Sequence, residues 1–156
     1  MNEEQYIRRR VRGCVMLVAL AVPAVSAASE PGDIIKYRQN VMEGNGAHAS
    51  AAEAIIQGKV EFKGHLPDHA RALEAFTRNI PALFPPGSDT GAETRALEAI
   101  WKNRADFEKR AKDVETKAAA FAKAVASKDD AQIQASFKEL NDGCNACHKE
   151  FRKRKR

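Results

Sequence analysis

The sequence predicts an all-α domain, folded as an antiparallel four-helix bundle. Three observations support this prediction. Apolar residues recur at spacings of three and four in four separate segments, which is the period of an amphipathic helix. No segment alternates convincingly between apolar and polar residues, as a half-buried strand does. Only nine Gly and six Pro occur among 156 residues, and short connections between amphipathic helices favour an antiparallel bundle.

The first 28 residues are predicted to be a cleaved secretory signal peptide, so the folded domain is expected to span 29–156. Four arginines precede an apolar run from Cys14 to Val25, and small residues offer a cleavage site near Ala27 or Ala28. The run is too short to span a bilayer comfortably, so an uncleaved anchor is the less favoured alternative. Export predicts a periplasmic protein with no membrane span in its mature form, and nucleic-acid binding is not expected.

The first helix is predicted from Asp33 to Gln57, with Gly58 ending it. The second is predicted to open at Pro67, because proline suits the first turn of a helix. Pro81 should end or kink that helix, since it cannot continue the hydrogen-bond ladder. The apolar stripes are Ile34, Ile35, Val41, Met42, Ala49, Ala52, Ile55 and Ile56 in the first helix, and Ala70, Leu73, Phe76, Ile80 and Leu83 in the second.

The stretch 84–94, with sequence FPPGSDTGAET, is dense in turn residues and predicts a loop. A third helix follows it. The fourth is predicted to start near Asp129, where Gln132 three residues later makes a capping box. The apolar stripes are Phe107, Ala111, Val114, Ala118, Phe121 and Val125 in the third helix, and Ile133, Phe137, Leu140, Cys144, Cys147, His148 and Phe151 in the fourth.

The residues with distinctive chemistry lie at the end of the fourth helix, in GCNACHKEFRKRKR. Cys144, Cys147 and His148 stand at i, i+3 and i+4, so all three occupy the stripe that faces the core. Cys-x-x-Cys-His is the attachment sequence for c-type haem, in which the thiols form thioethers and the histidine binds the iron. One covalent haem c is therefore predicted. The alternatives are a redox dithiol, which lacks a strand–helix setting, a zinc site, which lacks a fourth ligand, and a disulfide, which leaves His148 unexplained.

A haem carries two anionic propionates, and the sequence offers cations for them. Arg38 lies within the apolar stripe of the first helix, where an unpaired charge is costly; the alternative is a side chain at the stripe's edge that snorkels to solvent. Arg152 follows His148 by four residues and is placed to reach the same haem edge. Met42, one turn beyond Arg38, is a candidate for the far side of the iron, with ordinary core packing as the alternative.

The chain resembles the class II cytochromes c, which comprise cytochrome c′ and its low-spin relatives of the cytochrome c556 type. The resemblance runs from about Asp33 to Arg156 and is carried by IIKYRQNVM, ALFPPGS, AIWKNRADF and GCNACHKEFRKR. It implies a periplasmic four-helix bundle that is often a homodimer through its first two helices. It also implies that His148 is the proximal ligand of the iron.

The same resemblance implies roles for residues of the first helix and of the central loop. Arg38 and Gln39 match residues at the haem edge, and Thr94 lies where the family's central loop passes the haem. Met42 falls on the distal position. In cytochrome c′ this residue shields an iron that has five ligands, whereas in the low-spin branch a methionine there binds the iron.

Two functions follow from that difference. A Met42–His148 pair on the iron favours outer-sphere transfer of single electrons, and we expect this function. The alternative is a five-coordinate haem that binds nitric oxide or another small gas for protection or sensing. No set of residues for nucleophilic or acid–base catalysis is visible, so an enzyme is not expected. His48, His65 and His69 are interpreted as surface residues.

The end of the chain is strongly basic. Six of the last eight residues are cations, and the rest of the predicted mature chain is slightly acidic. Such a patch can steer an acidic redox partner towards the haem edge; a solvated, frayed end is the alternative. The six cations are Lys149, Arg152, Lys153, Arg154, Lys155 and Arg156.

Overall fold

The computed structural model describes residues 29–154, which are mostly helical. Two short 3₁₀ helices interrupt the connections, at Lys63–His65 and Ile80–Leu83. The predicted signal peptide lies outside the described residues, as do the last two cations of the chain. The α-helices are α1 (Pro31–Ile56), α2 (Leu66–Thr77), α3 (Ala99–Lys102), α4 (Arg104–Ser127) and α5 (Asp130–Phe151).

The four longer helices form a closed ring, which confirms the predicted antiparallel four-helix bundle. Helix α1 packs against α2, α2 against α4, α4 against α5, and α5 contacts α1. Residues 29–154 contain no β-strand, although an antiparallel bridge joins Ala96 to Arg152. No helix in this range has both the length and the apolar character that crossing a bilayer requires.

The predicted apolar stripes form most of the core. Ile35, Phe121 and Leu140 are almost completely buried, and apolar burial of this kind is the main stabilising term in a small domain. The prediction that Phe76 belongs to the core is wrong, because this residue is 42% exposed. Its ring lies beside Gly44 of α1, and a glycine has no side chain that could cover the ring.

Helix α2 is shorter than predicted and ends at Thr77. Asn79 takes a left-handed conformation with φ of 55°, and the chain resumes as the 3₁₀ helix with Pro81 in its first turn. The prediction that Pro81 ends or kinks the helix is therefore confirmed. The break matters for function, because it places Ile80 and Phe84 in the wall of the cavity described below.

Two helix ends follow from local chemistry. Gly58, with φ of 67°, ends α1 as predicted, since glycine takes the left-handed conformation without a steric penalty. At the start of α5, Asp129 Oδ1 accepts from the N–H groups of Ala131 and Gln132 at 3.0 and 3.1 Å. The predicted capping box differs in one contact, because the Gln132 amide donates to the Asp129 carboxylate at 2.8 Å rather than reaching the backbone.

Candidate haem site

A cavity of about 500 Å³ lies between the end of α5 and the break that follows α2. Helices α1, α3, α4 and α5 contribute to its walls, together with the 3₁₀ segment and residues 94–96. Cofactor sites commonly measure about 300–1,000 Å³. Its apolar lining is Met42, Ile80, Phe84, Ala96, Ile100, Phe107, Val114 and Phe151, and its other lining residues are Arg38, Gln39, Glu43, Thr94, Arg95, Cys147, His148 and Arg152.

Helix α5 brings two of the three motif residues to this cavity. Cys147 and His148 line it, whereas Cys144, one turn earlier, is half-buried against the core. Both thiols are free. Burial raises the pKa of Cys147 to about 11 and also raises the pKa of Cys144. Thiols of this kind are protonated at neutral pH, which disfavours the reactive thiolate that a redox dithiol needs.

His148 is half-buried, and its surroundings favour the neutral imidazole. Burial lowers its pKa to about 4, and the charges of Arg152 and Arg95 act in the same direction. The ordinary value for histidine is about 6.5, so the ring at this position is uncharged throughout the neutral range. A neutral imidazole nitrogen is the form that binds a metal ion.

Arg38 is a buried cation with uncharged partners. The residue is 2% exposed. Its Nη1 donates to Ser88 Oγ at 3.0 Å, and its Nη2 donates to Thr94 Oγ1 at 3.0 Å. Burial lowers the pKa of Arg38, and the charge of Asp89 partly opposes that shift. Within residues 29–154 Arg38 takes part in no ion pair. A buried charge is costly without a counter-charge, so this position is suited to an anionic ligand.

The loop after α2 and helix α3 are arranged around the Arg38 guanidinium. Its central carbon lies 4.8 Å from the ring centroid of Phe84 and 5.7 Å from that of Trp101, within range of cation–π attraction. Ser88 Oγ and Trp101 Nε1 both donate to the Pro85 carbonyl, at 2.9 and 3.0 Å. The segments ALFPPGS (82–88) and AIWKNRADF (99–107) therefore contact each other as well as Arg38.

Two further cations, Arg95 and Arg152, line the cavity. The end of α5 is fastened to this part of the loop, because Lys153 N–H donates to the Arg95 carbonyl at 2.8 Å and Arg95 Nη2 donates to the Lys153 carbonyl at 2.7 Å. Burial lowers the pKa of Arg152, and the nearby charge of Arg95 lowers it further. Arg95 was not among the predicted site residues, and its only signal in the sequence was a positive charge next to the predicted Thr94.

The structure brings most of the predicted site residues to one place. Gln39 Nε2 donates to the Glu93 carbonyl at 2.9 Å, which ties α1 to the loop. Met42 is half-buried and faces the cavity from the same helix. Seven predicted residues share the lining, and only Cys144 is outside it. The seven are Arg38, Gln39, Met42, Thr94, Cys147, His148 and Arg152.

The remaining histidines of the described chain lie away from the cavity. His65 is exposed, in agreement with its interpretation as a surface residue. His48 and His69 are half-buried and contact each other between α1 and α2, which the sequence analysis did not foresee. In the part of the chain that the structure describes, no group of three or more His, Cys, Asp or Glu side chains could hold a metal ion.

These residues fit a haem. Apolar side chains suit the porphyrin, a neutral imidazole suits the iron, and the buried guanidinium with its neighbouring cations suits the carboxylates of the propionates. A family model described as Cytochrome C′ matches residues 33–152.

The chain belongs to the cytochrome c′ family. It is 31% identical to the cytochrome c′ of Rhodospirillum rubrum over 144 residues, which cover 92% of this chain and 98% of the relative. It is 28% identical to the cytochrome c-556 of Agrobacterium fabrum over 148 residues, which cover 94% of this chain and 97% of the relative. The family binds a c-type haem covalently, with its iron, which confirms the cofactor predicted from Cys-x-x-Cys-His.

Solved cytochrome c′ structures share the fold. The structure from Rubrivivax gelatinosus has a TM-score of 0.76 at 28% identity, with 80% of this chain and 98% of that chain covered. A cytochrome c′ with an unusual ligand-controlled dimer dissociation has a TM-score of 0.77 at 23% identity, with 82% and 100% covered. A nitric oxide complex of an Alcaligenes xylosoxidans variant has a TM-score of 0.75 at 23% identity, with 82% and 99% covered. The last two show the fold alone.

Replacing Ser88 with alanine tests the support of the buried guanidinium. The variant loses an acceptor for Arg38, and a hydrogen bond to a charged group is worth about 1.5–3 kcal/mol. We therefore expect the free energy of unfolding of the haem-loaded protein to fall by roughly that amount, measured by urea denaturation. The control is Ser136→Ala, since Ser136 Oγ donates only to carbonyls of its own helix. Equal effects of the two changes would contradict this role of Ser88.

Proposed function

We propose that this protein carries single electrons in the periplasm, through a haem attached at Cys144 and Cys147. The proposal is based on one observation, namely that Met42 of α1 and His148 of α5 line the same cavity. Methionine and histidine together on a haem iron favour a raised reduction potential. A haem with both axial positions filled by the protein suits electron transfer, because little geometry changes between the two oxidation states.

Helix α5 would hold the haem through three side chains. Cys144 and Cys147 lie three residues apart on one face, so each thiol can form a thioether with one vinyl group. His148 would supply the proximal nitrogen. Because its pKa is lowered, protons would not compete with the iron for that nitrogen at neutral pH. When bound, the haem iron supplies a one-electron ferric–ferrous couple. Cavity walls built from helices and packed rings limit reorganisation of the protein around that couple.

The cations of the cavity would receive the propionates. Arg38 offers a desolvated guanidinium, and charge-assisted hydrogen bonds to carboxylates are among the strong ones in proteins. Arg152 and the neighbouring Arg95 add positive charge at the rim. Gln39 and Thr94 contribute polar groups at the same edge, where Thr94 also accepts from Arg38. These residues would hold the propionate edge of the haem at this side of the cavity.

Binding of nitric oxide or another small gas is a second candidate function. It is favoured by the apolar part of the cavity lining, in which Ile80, Phe107 and Val114 accompany Met42. An apolar distal face admits a small uncharged ligand and offers few hydrogen-bond donors for activating it. If Met42 serves only as a wall of this face, the iron keeps one position open and gas binding becomes the main function.

We also propose that two copies associate through their first two helices. Three large hydrophobic residues are exposed in this part of the chain: Tyr37 on α1, Phe62 in the connection and Phe76 on α2, with 63%, 62% and 42% exposure. Large apolar side chains exposed on the first two helices and on their connection favour a protein–protein interface there. Export of both copies would follow from the signal peptide predicted at residues 1–28.

An acidic redox protein is the partner that the basic end favours. Lys149, Arg152, Lys153 and Arg154 are exposed at the end of α5, beside the cavity. A concentrated patch of one sign raises the rate at which an oppositely charged partner associates, and salt weakens the effect. Docking at this end would bring the partner close to the haem edge.

Replacing both Cys144 and Cys147 with alanine tests the attachment. No thioether can form in the double variant, so acidic organic solvent should extract its haem, whereas the haem of the unmodified protein should stay with the chain. The single variant Cys144→Ala is the control, and it should retain haem through the remaining thioether. Haem that resists extraction from the double variant would rule out the assignment.

Replacing Met42 with leucine distinguishes the two functions. If the Met42 sulfur binds the iron, the variant should lose the weak near-infrared band of methionine-bound ferric haem, become high-spin and gain affinity for carbon monoxide. Ile80→Leu is the control, since it alters the same cavity without removing a ligand. If the unmodified protein is already high-spin and Met42→Leu leaves its spectrum unchanged, Met42 is a wall residue and gas binding is the better supported function.

A further inference from the structure

His48 and His69 form a contact that the haem site does not use. His48 lies on α1 and His69 on α2, and their Nδ1 atoms are 2.9 Å apart. The ring centroids are 5.2 Å apart with the planes inclined at 53°. Both residues are half-buried, and neither lines the haem cavity. Two imidazole nitrogens from different helices thus converge on one point between α1 and α2.

We infer that His48 and His69 form a two-histidine binding site for a divalent transition metal ion, with cupric ion preferred. Imidazole nitrogens bind such ions at about 2.0–2.1 Å. Two nitrogens at that distance and at a right angle around the metal are about 2.9 Å apart, whereas tetrahedral ligands are about 3.3 Å apart. The observed 2.9 Å separation matches the right angle. Square-planar and tetragonal sites with nitrogen ligands are typical of Cu²⁺ and Ni²⁺, and Cu²⁺ binds most tightly in the divalent series.

The surroundings of His69 favour its neutral ring. Burial lowers the pKa of His69, His48 and His65 lower it further, and Asp68 opposes the shift. Neutral imidazoles have a nitrogen lone pair available, and at present one Nδ1 must donate to the other. A metal ion would replace the shared proton, so that both Nδ1 atoms bind the ion and the Nε2 atoms carry the ring protons.

The packing around the pair limits its freedom. Phe76 lies 6.1 Å from the His48 ring, between centroids, and helps to fix its plane. Helices α1 and α2 are packed against each other, so a metal ion would tie two elements of the bundle together. Because no third His, Cys, Asp or Glu of the described residues completes a metal-binding group, water would fill the other positions.

Calorimetric titration of the haem-loaded protein with Cu²⁺ tests the site. The unmodified protein should bind one Cu²⁺ ion per chain at this site. Its affinity for Cu²⁺ should be at least tenfold lower in His48→Gln and in His69→Gln. His65→Gln is the matched control, since His65 is exposed and lies one turn before His69; its titration should equal that of the unmodified chain. Equal titrations of all four proteins, or a loss in His65→Gln alone, would overturn the inference.

Two further readouts separate a built site from scattered surface binding. Saturating Cu²⁺ should raise the melting temperature of the unmodified chain reversibly, with the shift abolished by a chelator and absent in both pair variants, because binding to the folded state alone stabilises it. The electron paramagnetic resonance signal of bound Cu²⁺ should show coupling to two nitrogens. A signal with no such coupling, or a melting temperature unaffected by Cu²⁺, would contradict the site.

Discussion

The burial of the Arg38 guanidinium is the constraint on which the haem end of the bundle depends. A cation at 2% exposure must be compensated within the protein or by a ligand. Ser88 and Thr94 supply neutral acceptors, and two aromatic faces lie within cation–π range. None of these partners carries a negative charge. The Arg38 side chain contacts Phe84, Ser88 and Trp101 of α3, and both Ser88 and Trp101 donate to the Pro85 carbonyl. The loop after α2 therefore surrounds the buried charge.

Charged residues at this end of the bundle also affect His148, the residue proposed to bind the haem iron. Burial keeps the His148 imidazole neutral, the charges of Arg152 and Arg95 act in the same direction, and a neutral ring favours metal binding. Burial also lowers the pKa of Arg152, and repulsion from the nearby charge of Arg95 lowers it further. A dianionic haem would relieve this repulsion, because its two propionates would neutralise the cations, and the neutral His148 ring would be available to its iron. Folding and cofactor binding are therefore coupled at this end of the molecule, and we expect the haem to contribute to stability.

Much of the fold was predictable, because helix periodicity and cofactor motifs are local in sequence. The heptad-like stripes locate the four long helices, and the spacing of Cys144, Cys147 and His148 indicates the haem without reference to any other element. Local patterns do not specify which loop residues meet the site. Ser88 and Arg95 stand in an irregular segment with no period, so their partnership with the cavity appears only once α1 and α5 are packed. The contact between His48 and His69 depends likewise on the register of α1 against α2.

A crystal structure of the haem-loaded protein is the most direct test of the claim that Arg38 is buried to receive an anion. We predict a propionate carboxylate within about 2.7–3.2 Å of the Arg38 guanidinium, the range of a direct hydrogen bond. Ser88 and Thr94 should still accept from the same side chain. A structure in which both propionates extend into solvent, while Arg38 contacts only those two hydroxyls, would contradict the account.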